Sequence, residues 1–494
     1  MSSVRMAPDM PWSPERTRTV VRGRLLIKVR SGYAPEKMPN VLSVRSGVAT
    51  APLSLGNDRI DGVIKRYSQV MRVSAAFRSA RSTAFGRPDG VDEWDSVEEE
   101  IGLSRMFRVD LDPDVSLLRL MDALAGLHAV ESVSPYYLSV TPFEHNATVR
   151  AEDVSNWYGW NMVKAREALA AEQGDSALIV GIVDTGVDIQ HPELQTKLRP
   201  GLLDCVDLPR DQLSRTMILV GDAHDPDTVA LDETGHGTAC ASIIGAVGIR
   251  VRPGLAGAAR ILSVRALASA RFADHTTLTG VGAAPDLDIG LKATVDLGAR
   301  VINLSFGTPD SALREEDPLP HLEAVEYAKR RGCILVAASG NSARTQKYYP
   351  ACLDGVIAVG SVDQSYHPSR FTTRGRHVDL CAPGEDVPSA GIGGYAVNTG
   401  TSFAAPFVTG ACALLVAKAS RHSRSLDAET ACAFLKSGAR KFSDDIDATG
   451  CGAGVLDANQ ALQQLDAAIK QTPDPRAALP IPTTAVGEVH RASF

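Results

Sequence analysis

The sequence predicts an α/β protein, a parallel sheet flanked by helices, preceded by a small α+β domain. Three observations carry that expectation. Short apolar runs recur after residue 150, each bounded by Gly, Asp or Asn. The runs are continuous rather than alternating, as strands buried on both faces require. Helical patterns separate them, and parallel neighbours need such crossovers.

The first domain is expected over residues 20–142, with residues 1–19 a flexible N-terminus. RLLIKVR (24–30) reads as a strand, and 60–78 as a short helix followed by VSAAFR. MFRVDLD (106–112), the amphipathic SLLRLMDALAGL (116–127) and VESVSPYYLSV (130–140) complete the set. Strand, helix, strand, strand, helix, strand is the order of a split βαβ sandwich. The connection over about 79–105 is longer than that unit needs, and the sequence offers no account of it.

The second domain is expected over 150–466. Its strand candidates are ALIVGIV (177–183), RILSVRAL (260–267), RVINLSF (300–306), CILVAAS (333–339) and GVIAVGSV (355–362). Residues 467–494, rich in proline and small polar residues, read as a flexible tail.

Composition narrows the function classes. The chain has 494 residues, 44% hydrophobic, with 42 glycines, which fits a globular protein of more than one domain. A net charge of −7 with dispersed Lys and Arg gives no footprint for nucleic acid. The N-terminus lacks the apolar run of a secretory leader, so cytoplasmic residence, or release without a signal peptide, is expected. FAAPFVTGACALLVAKA (403–419) is interrupted by glycine and reads as a buried core helix, so no membrane partner is expected. All eight cysteines lie between Cys205 and Cys451 with no C-x-x-C pair, the pattern of free buried thiols. Pairs such as Cys333 with Cys352 or Cys432 with Cys451 stay open.

Four polar residues stand where apolar strands or helices end or begin, the place where open α/β sheets bind ligands. Asp184 follows ALIVGIV, and a carboxylate there must find a partner or its ionisation is costly. A turn or capping role is the plain alternative. His236, in GHGT, has glycines that let backbone approach and an imidazole suited to proton transfer near neutrality. Asn341, in AASGN, is either a turn former or an amide donor to an oxyanion. Ser402 opens the apolar helix. It either caps that helix or leaves the free N–H groups for charge developing on a substrate. Pro406 is tolerable there if it falls near the first turn.

Taken in order, DTGVDIQHPEL, GHGTACASIIGA, VINLSFG, AASGN, YYPACLDGVIAVGSVD, LCAPG and GTSFAAPFVTGACALL resemble the subtilisin-like serine proteases. The resemblance covers roughly 155–466. It implies a subtilisin-like peptidase domain preceded by a ferredoxin-like propeptide domain. It also implies a serine endopeptidase with Ser402 as nucleophile, His236 as acid–base, Asp184 orienting the imidazole and Asn341 in the oxyanion hole. Ser305, Phe306 and Gly307 would pair with an extended peptide, and Ala338 and Gly340 would wall the pocket for the residue before the cut. No acidic residue lies between 337 and 350, which speaks against a requirement for basic residues, and Tyr348 is positioned to narrow the pocket. The implied partners are protein or peptide substrates and the chain's own N-terminal domain as intramolecular inhibitor, with cleavage in about 138–155. No cofactor is implied.

Two departures stand out. Where relatives bind calcium after the histidine helix, this chain has VGIRVRPGLAG (247–257), and Arg250 and Arg252 offer no oxygen ligands, so no metal is expected there. Phe407 stands where relatives carry histidine. The rival readings are a peptide ligase or macrocyclase with the same residues, and a non-catalytic binding module.

Overall fold

A computed structural model of the chain describes residues 19–81, 93–141, 144–149, 157–201, 203–214, 217–224, 229–272, 277–480 and 482. Of the expected flexible N-terminus (1–19), residues 1–18, and of the expected tail (467–494), residues 481 and 483–494, lie outside the described residues.

The first domain contains β1 (Val20–Val29), α1 (Val41–Arg45), α2 (Asp58–Tyr67), β2 (Met71–Ala75), α3 (Ser96–Ile101), β3 (Met106–Leu111), α4 (Leu117–Ala125) and β4 (Val130–Val140). Its strands pair antiparallel in the order β2-β3-β1-β4, the split βαβ arrangement expected. Asn57 caps α2 by accepting the N–H groups of Arg59 and Ile60. Ile60 and Ile64 of α2, with Leu120 and Leu124 of α4, share one face spacing each and pack on Leu25, Ile27, Phe107 and Val109. The short helix expected before VSAAFR ends at Tyr67. There the N–H groups of Gln69 and Val70 turn onto the Asp112 carboxylate at 2.8 and 3.2 Å and start β2. The long connection holds α3, fixed by a capping box between Asp95 and Glu98.

The rest of the chain runs β5 (Glu144–Val149), α5 (Tyr158–Met162), α6 (Ala165–Ala171), β6 (Ile179–Asp184), β7 (Leu203–Asp204), β8 (Met217–Val220) and α7 (His236–Gly245). It continues with β9 (Arg260–Arg265), β10 (Ala268–Phe272), β11 (Thr279–Ala283), α8 (Ala284–Asp296), β12 (Val301–Leu304), β13 (Thr308–Pro309), α9 (Leu322–Arg330) and β14 (Ile334–Ala338). It ends with β15 (Tyr348–Tyr349), β16 (Val356–Val362), β17 (Val378–Pro383), β18 (Val387–Gly391), β19 (Gly394–Thr399), α10 (Thr401–Arg421), α11 (Ala428–Gly438) and α12 (Ala458–Gln471). The last helix thus passes the expected edge at 466.

Strands β17-β16-β14-β12-β6-β9-β7 form one sheet, parallel throughout. The five predicted strands are in it, and the predicted continuous burial holds: every residue of β12, β14 and β16 is buried. The short β7, and β17 over VDLCAP, carried too little apolar run to be read as strands. Helix α10 is long and apolar enough to cross a membrane by length and composition, but its apolar window is wholly buried in the protein. Helices all round apolar belong in cores.

One feature was not legible. Strands β11, β10 and β8 extend the sheet of the first domain, giving β2-β3-β1-β4-β11-β10-β8 across both halves of the molecule. Val21, Tyr136, Leu138 and Val140 of the first domain share a core with Leu219, Ala268, Ala270 and Val281 of the second.

Candidate active site

Asp184 is the last residue of β6 and fully buried. His236 is the first residue of α7, after Gly235 in the left-handed region at φ 92°. The two meet through His236 Nδ1 and Asp184 Oδ1 at 2.7 Å. The approach demands glycine at 237, where a Cβ would lie 2.1 Å from the Gly186 carbonyl and 3.2 Å from Asp184 Cβ. Asp184 Oδ1 also accepts the Thr185 N–H at 2.7 Å.

A second buried acid, which the sequence reading passed over, frames this pair. Asp232 accepts hydrogen bonds from the N–H groups of Thr234, Gly235 and Thr238 and from the hydroxyls of Thr185 and Thr238, at 2.7 to 2.9 Å. Burial holds its carboxyl above the usual range against those donors. Asp232 therefore locks the first turn of α7 to the strand end bearing Asp184. Its signal was its place four residues before the histidine in DETGHGT.

Ser402 is the second residue of α10, and the N-cap is Gly400, with no side-chain capping bond. The capping alternative for Ser402 is thus not realised. Its hydroxyl donates to the Ser305 carbonyl at 3.3 Å. Pro406 is the sixth helical residue, inside the helix rather than in the first turn as expected. Having no N–H, it cannot bond the Ser402 carbonyl four residues back. That carbonyl accepts instead from Ser305 Oγ at 2.9 Å and Cys240 Sγ at 3.4 Å. Cys240 belongs to α7, and its sulfur lies 4.0 Å from His236 Nδ1. The Phe403 ring packs on the imidazole at 5.3 Å. The beginnings of α7 and α10 therefore converge, Phe403 meeting the imidazole and Cys240 the Ser402 carbonyl.

Asp184, His236 and Cys240 offer ligand atoms within 4.8 Å of one another. Burial pushes the Cys240 thiol well above its usual pKa, which opposes the thiolate that a metal would need.

Asn341 follows Gly340 at the end of β14. Its Oδ1 accepts the Thr401 N–H at 3.0 Å and the Thr401 hydroxyl at 2.7 Å. This anchors the amide to the helix start that carries Ser402. Thr401 was not singled out from the sequence, because an oxygen that positions an amide looks like any helix-start threonine.

Of the predicted Ser305, Phe306 and Gly307, it is Gly307 whose main chain pairs with the strand in the cleft. Gly307 exchanges both main-chain hydrogen bonds with Val140 of β4, at 3.1 and 3.3 Å. On the other side the Thr141 N–H donates to the Gly280 carbonyl at 2.9 Å. Val140 and Ser139 also pair with Val281 and Gly282 of β11. Ser139–Thr141 thus lie between β11 and the main chain of Gly307, as an added strand. Beyond them, β5 pairs antiparallel with β19, with Glu144 opposite Thr399. Phe306 is buried against His321, and Ser305 is held by Asn303 at 2.8 Å. Ala338 closes β14 and is buried.

The loop where relatives bind calcium has its own organisation. Glu193 accepts the N–H groups of Gly248, Ile249, Arg250 and Val251 at 2.5 to 3.1 Å. Burial raises its pKa, but those four donors outweigh it and hold the carboxyl below the usual range. A loop whose N–H groups point inward onto a carboxylate presents donors where a hard cation needs acceptors. Phe407 packs beside Gly159. All eight cysteines are free, so neither disulfide left open is formed.

The subtilase family matches residues 175–454. A thermophilic serine proteinase of Bacillus sp. (strain AK1) is 33% identical over 309 residues, 60% of this chain and 66% of that protein. Thermitase of Thermoactinomyces vulgaris is 35% identical over 267 residues, 53% of this chain and 83% of that protein. A solved protease structure from Pseudoalteromonas arctica covers 63% of this chain and 96% of its own, with a TM-score of 0.50 and 23% identity, a likeness of fold alone. The chain belongs to the subtilase family. It is by class a serine-type endopeptidase.

Proposed function

We propose that Ser402 attacks a peptide carbonyl while His236 takes its proton and returns it to the leaving amine. Asp184 keeps Nδ1 protonated and balances the imidazolium. Asn341 Nδ2 and the Ser402 N–H receive the oxyanion, helped by the positive end of α10. The observation that carries this reading is the buried Asp184–His236 pair, 2.7 Å apart, at the helix start that converges with the start of α10. The Ser402 hydroxyl needs a rotation about Cα–Cβ from the Ser305 carbonyl toward His236, an adjustment common before substrate binds.

The substrate is an extended peptide of a protein, and the first domain is its intramolecular stand-in. Ser139–Thr141 use the main-chain groups of Gly280 and Gly307 that a substrate would use. The chain enters the cleft there and leaves along β19 from Glu144. Processing of such a self-inhibited precursor would therefore cut between Thr141 and Glu144, inside the window expected from the sequence. Eight unbridged thiols suit a reducing, cytoplasmic setting.

The test is fluorophosphonate labelling of the full-length protein and of Ser402→Ala, with N-terminal sequencing before and after incubation. Labelling of the wild type alone, with a new N-terminus between residues 142 and 144, is the expected result. Equal labelling of both proteins would remove Ser402 from the chemistry.

A further inference from the structure

The slot beside the oxyanion site already holds an aromatic ring. Gly340 immediately precedes Asn341, and Gly307 bonds the cleft peptide through Val140. The Gly340 N–H donates to Thr401 Oγ1 beside Ser402, so a peptide carbonyl delivered to Ser402 would bring its side chain toward these two glycines. Tyr348 occupies the gap between them. A Cβ on Gly340 would lie 2.6 Å from Tyr348 Cδ2 and 2.7 Å from Cε2, and a Cβ on Gly307 would lie 3.1 Å from Cδ1. One edge of the ring therefore touches each wall.

The ring's backbone is fixed on both sides. Strand β15 pairs with β13, Pro309 opposite Tyr348 and Thr308 opposite Tyr349. The Tyr348 carbonyl accepts the Cys352 N–H at 2.9 Å, and the neighbouring Lys347 carbonyl accepts the Asp310 N–H at 3.0 Å. Gly340 has φ of 105°, a conformation that side chains other than glycine's rarely adopt, so the wall facing the ring cannot itself carry a side chain. Clearing the slot by backbone movement would break these bonds, and the two glycine walls confine the ring.

We propose that Tyr348 is the specificity-determining residue of this enzyme: it fills the slot for the side chain preceding the cut and restricts that position to small residues such as Ala, Gly or Ser. This rests on the serine-protease reading above. A steric filter of this kind discriminates strongly, since even one methylene in a pocket is worth roughly 10- to 200-fold in kcat/KM.

The experiment compares succinyl-Ala-Ala-X-p-nitroanilides, with X as Ala, Leu or Phe, on the full-length wild type, Tyr348→Gly and Tyr348→Phe after incubation that allows the first domain to be cut. Wild type and Tyr348→Phe are expected to favour Ala over Phe by at least about 10-fold, and Tyr348→Gly to shift that ratio toward Phe by about 10- to 200-fold. Thermal midpoints of the three proteins are recorded alongside, and the ratio within each protein is independent of its folded fraction. A wild type that cuts after Phe as readily as after Ala overturns the proposal, as does an unchanged ratio in Tyr348→Gly. Absence of all turnover together with absence of fluorophosphonate labelling would instead overturn the protease reading, and this proposal with it.

Discussion

Besides their shared apolar core, the first domain meets the second in two chemically different ways. In the cleft, contact is through main chain, with Val140 against Gly307 and Thr141 against Gly280. Over helices α8 and α9, contact is through charge. Glu98 of α3 pairs with Lys292 of α8 at 2.7 Å, both side chains at most 2% exposed. Asp95 and Glu100 pair with Arg331 and Arg330 at the end of α9, and Lys28 pairs with Glu323 at 3.1 Å. Arg24 and Arg108 converge on Asp207, which is 1% exposed. The long connection with α3 thus supplies three of the carboxylates on this face, Asp95, Glu98 and Glu100.

The difference separates two tasks. Main-chain pairing is indifferent to side chains, so the strand in the cleft occupies sites that any extended peptide can use. Buried ion pairs are specific, since removing one partner strands the other charge in a low-dielectric interior. Cutting the strand would leave the charged face and the shared apolar core intact, so the two contacts should respond independently to mutation.

The largest expected effect lies on the cleft side. Ser402→Ala should lower peptide turnover by about 10⁶-fold with the chain left uncut, while its thermal midpoint stays near that of wild type. A parallel loss of stability would blur the separation. On the charged face, Asp207→Ala removes the buried carboxylate shared by Arg24 and Arg108, leaving them Asp110 alone, and should destabilise the full-length protein by about 3 kcal/mol in denaturant titration. An unaltered midpoint would mean that the face contributes nothing.

Asn341→Ala is next and returns to the cleft. Turnover should fall by about 10²–10³, the size of effect known for an amide oxyanion donor in this family, with KM little changed. Unchanged turnover would take Asn341 out of the mechanism.

The smallest effect is a pH dependence of the charged face. Asp286, at the start of α8, is 1% exposed and neither carboxylate oxygen has a hydrogen-bond partner. Burial, then the charge of Asp207, pushes its pKa up to about 7, against the pull of Arg24, Arg108 and Arg45. A raised folded-state pKa means that the folded protein holds a proton the unfolded chain releases. That contribution is present at acid pH and is lost as pH rises through about 7. His224, raised chiefly by its hydrogen bond to Asp207, acts in the same direction. Asp207 itself is held low by the arginines, and its contribution disappears only in acid. The thermal midpoint should therefore fall between about pH 5 and pH 8, less steeply in Asp286→Asn. Identical slopes in the two proteins would assign the dependence elsewhere.

Much of the peptidase domain was legible because its strands are buried on both faces, and double burial writes a continuous apolar run into the sequence. The same holds for α10, whose apolar surface has no polar side. Asp184, His236, Asn341 and Ser402 were legible because each interrupts or follows such a run with small residues around it. Asp232 and Thr401 were not, since a residue that orients another has no chemistry of its own to advertise. The misplacement of Pro406 has a physical origin too. Only the structure reveals that the Ser402 carbonyl, left without a helical donor, is served by Ser305 and Cys240.

By itself the sequence determined the local choices: which segments are strands, where helices begin, and which polar groups stand at their ends. These follow from periodicity, capping and the cost of burying an unpartnered charge, all set within a few residues. Tertiary structure alone decided what lies opposite what. The ring of Tyr348 between two glycine walls, four N–H groups closed on Glu193 and a sheet shared by two domains join residues far apart in the chain. Their contacts depend on how the segments pack, and no local pattern encodes that.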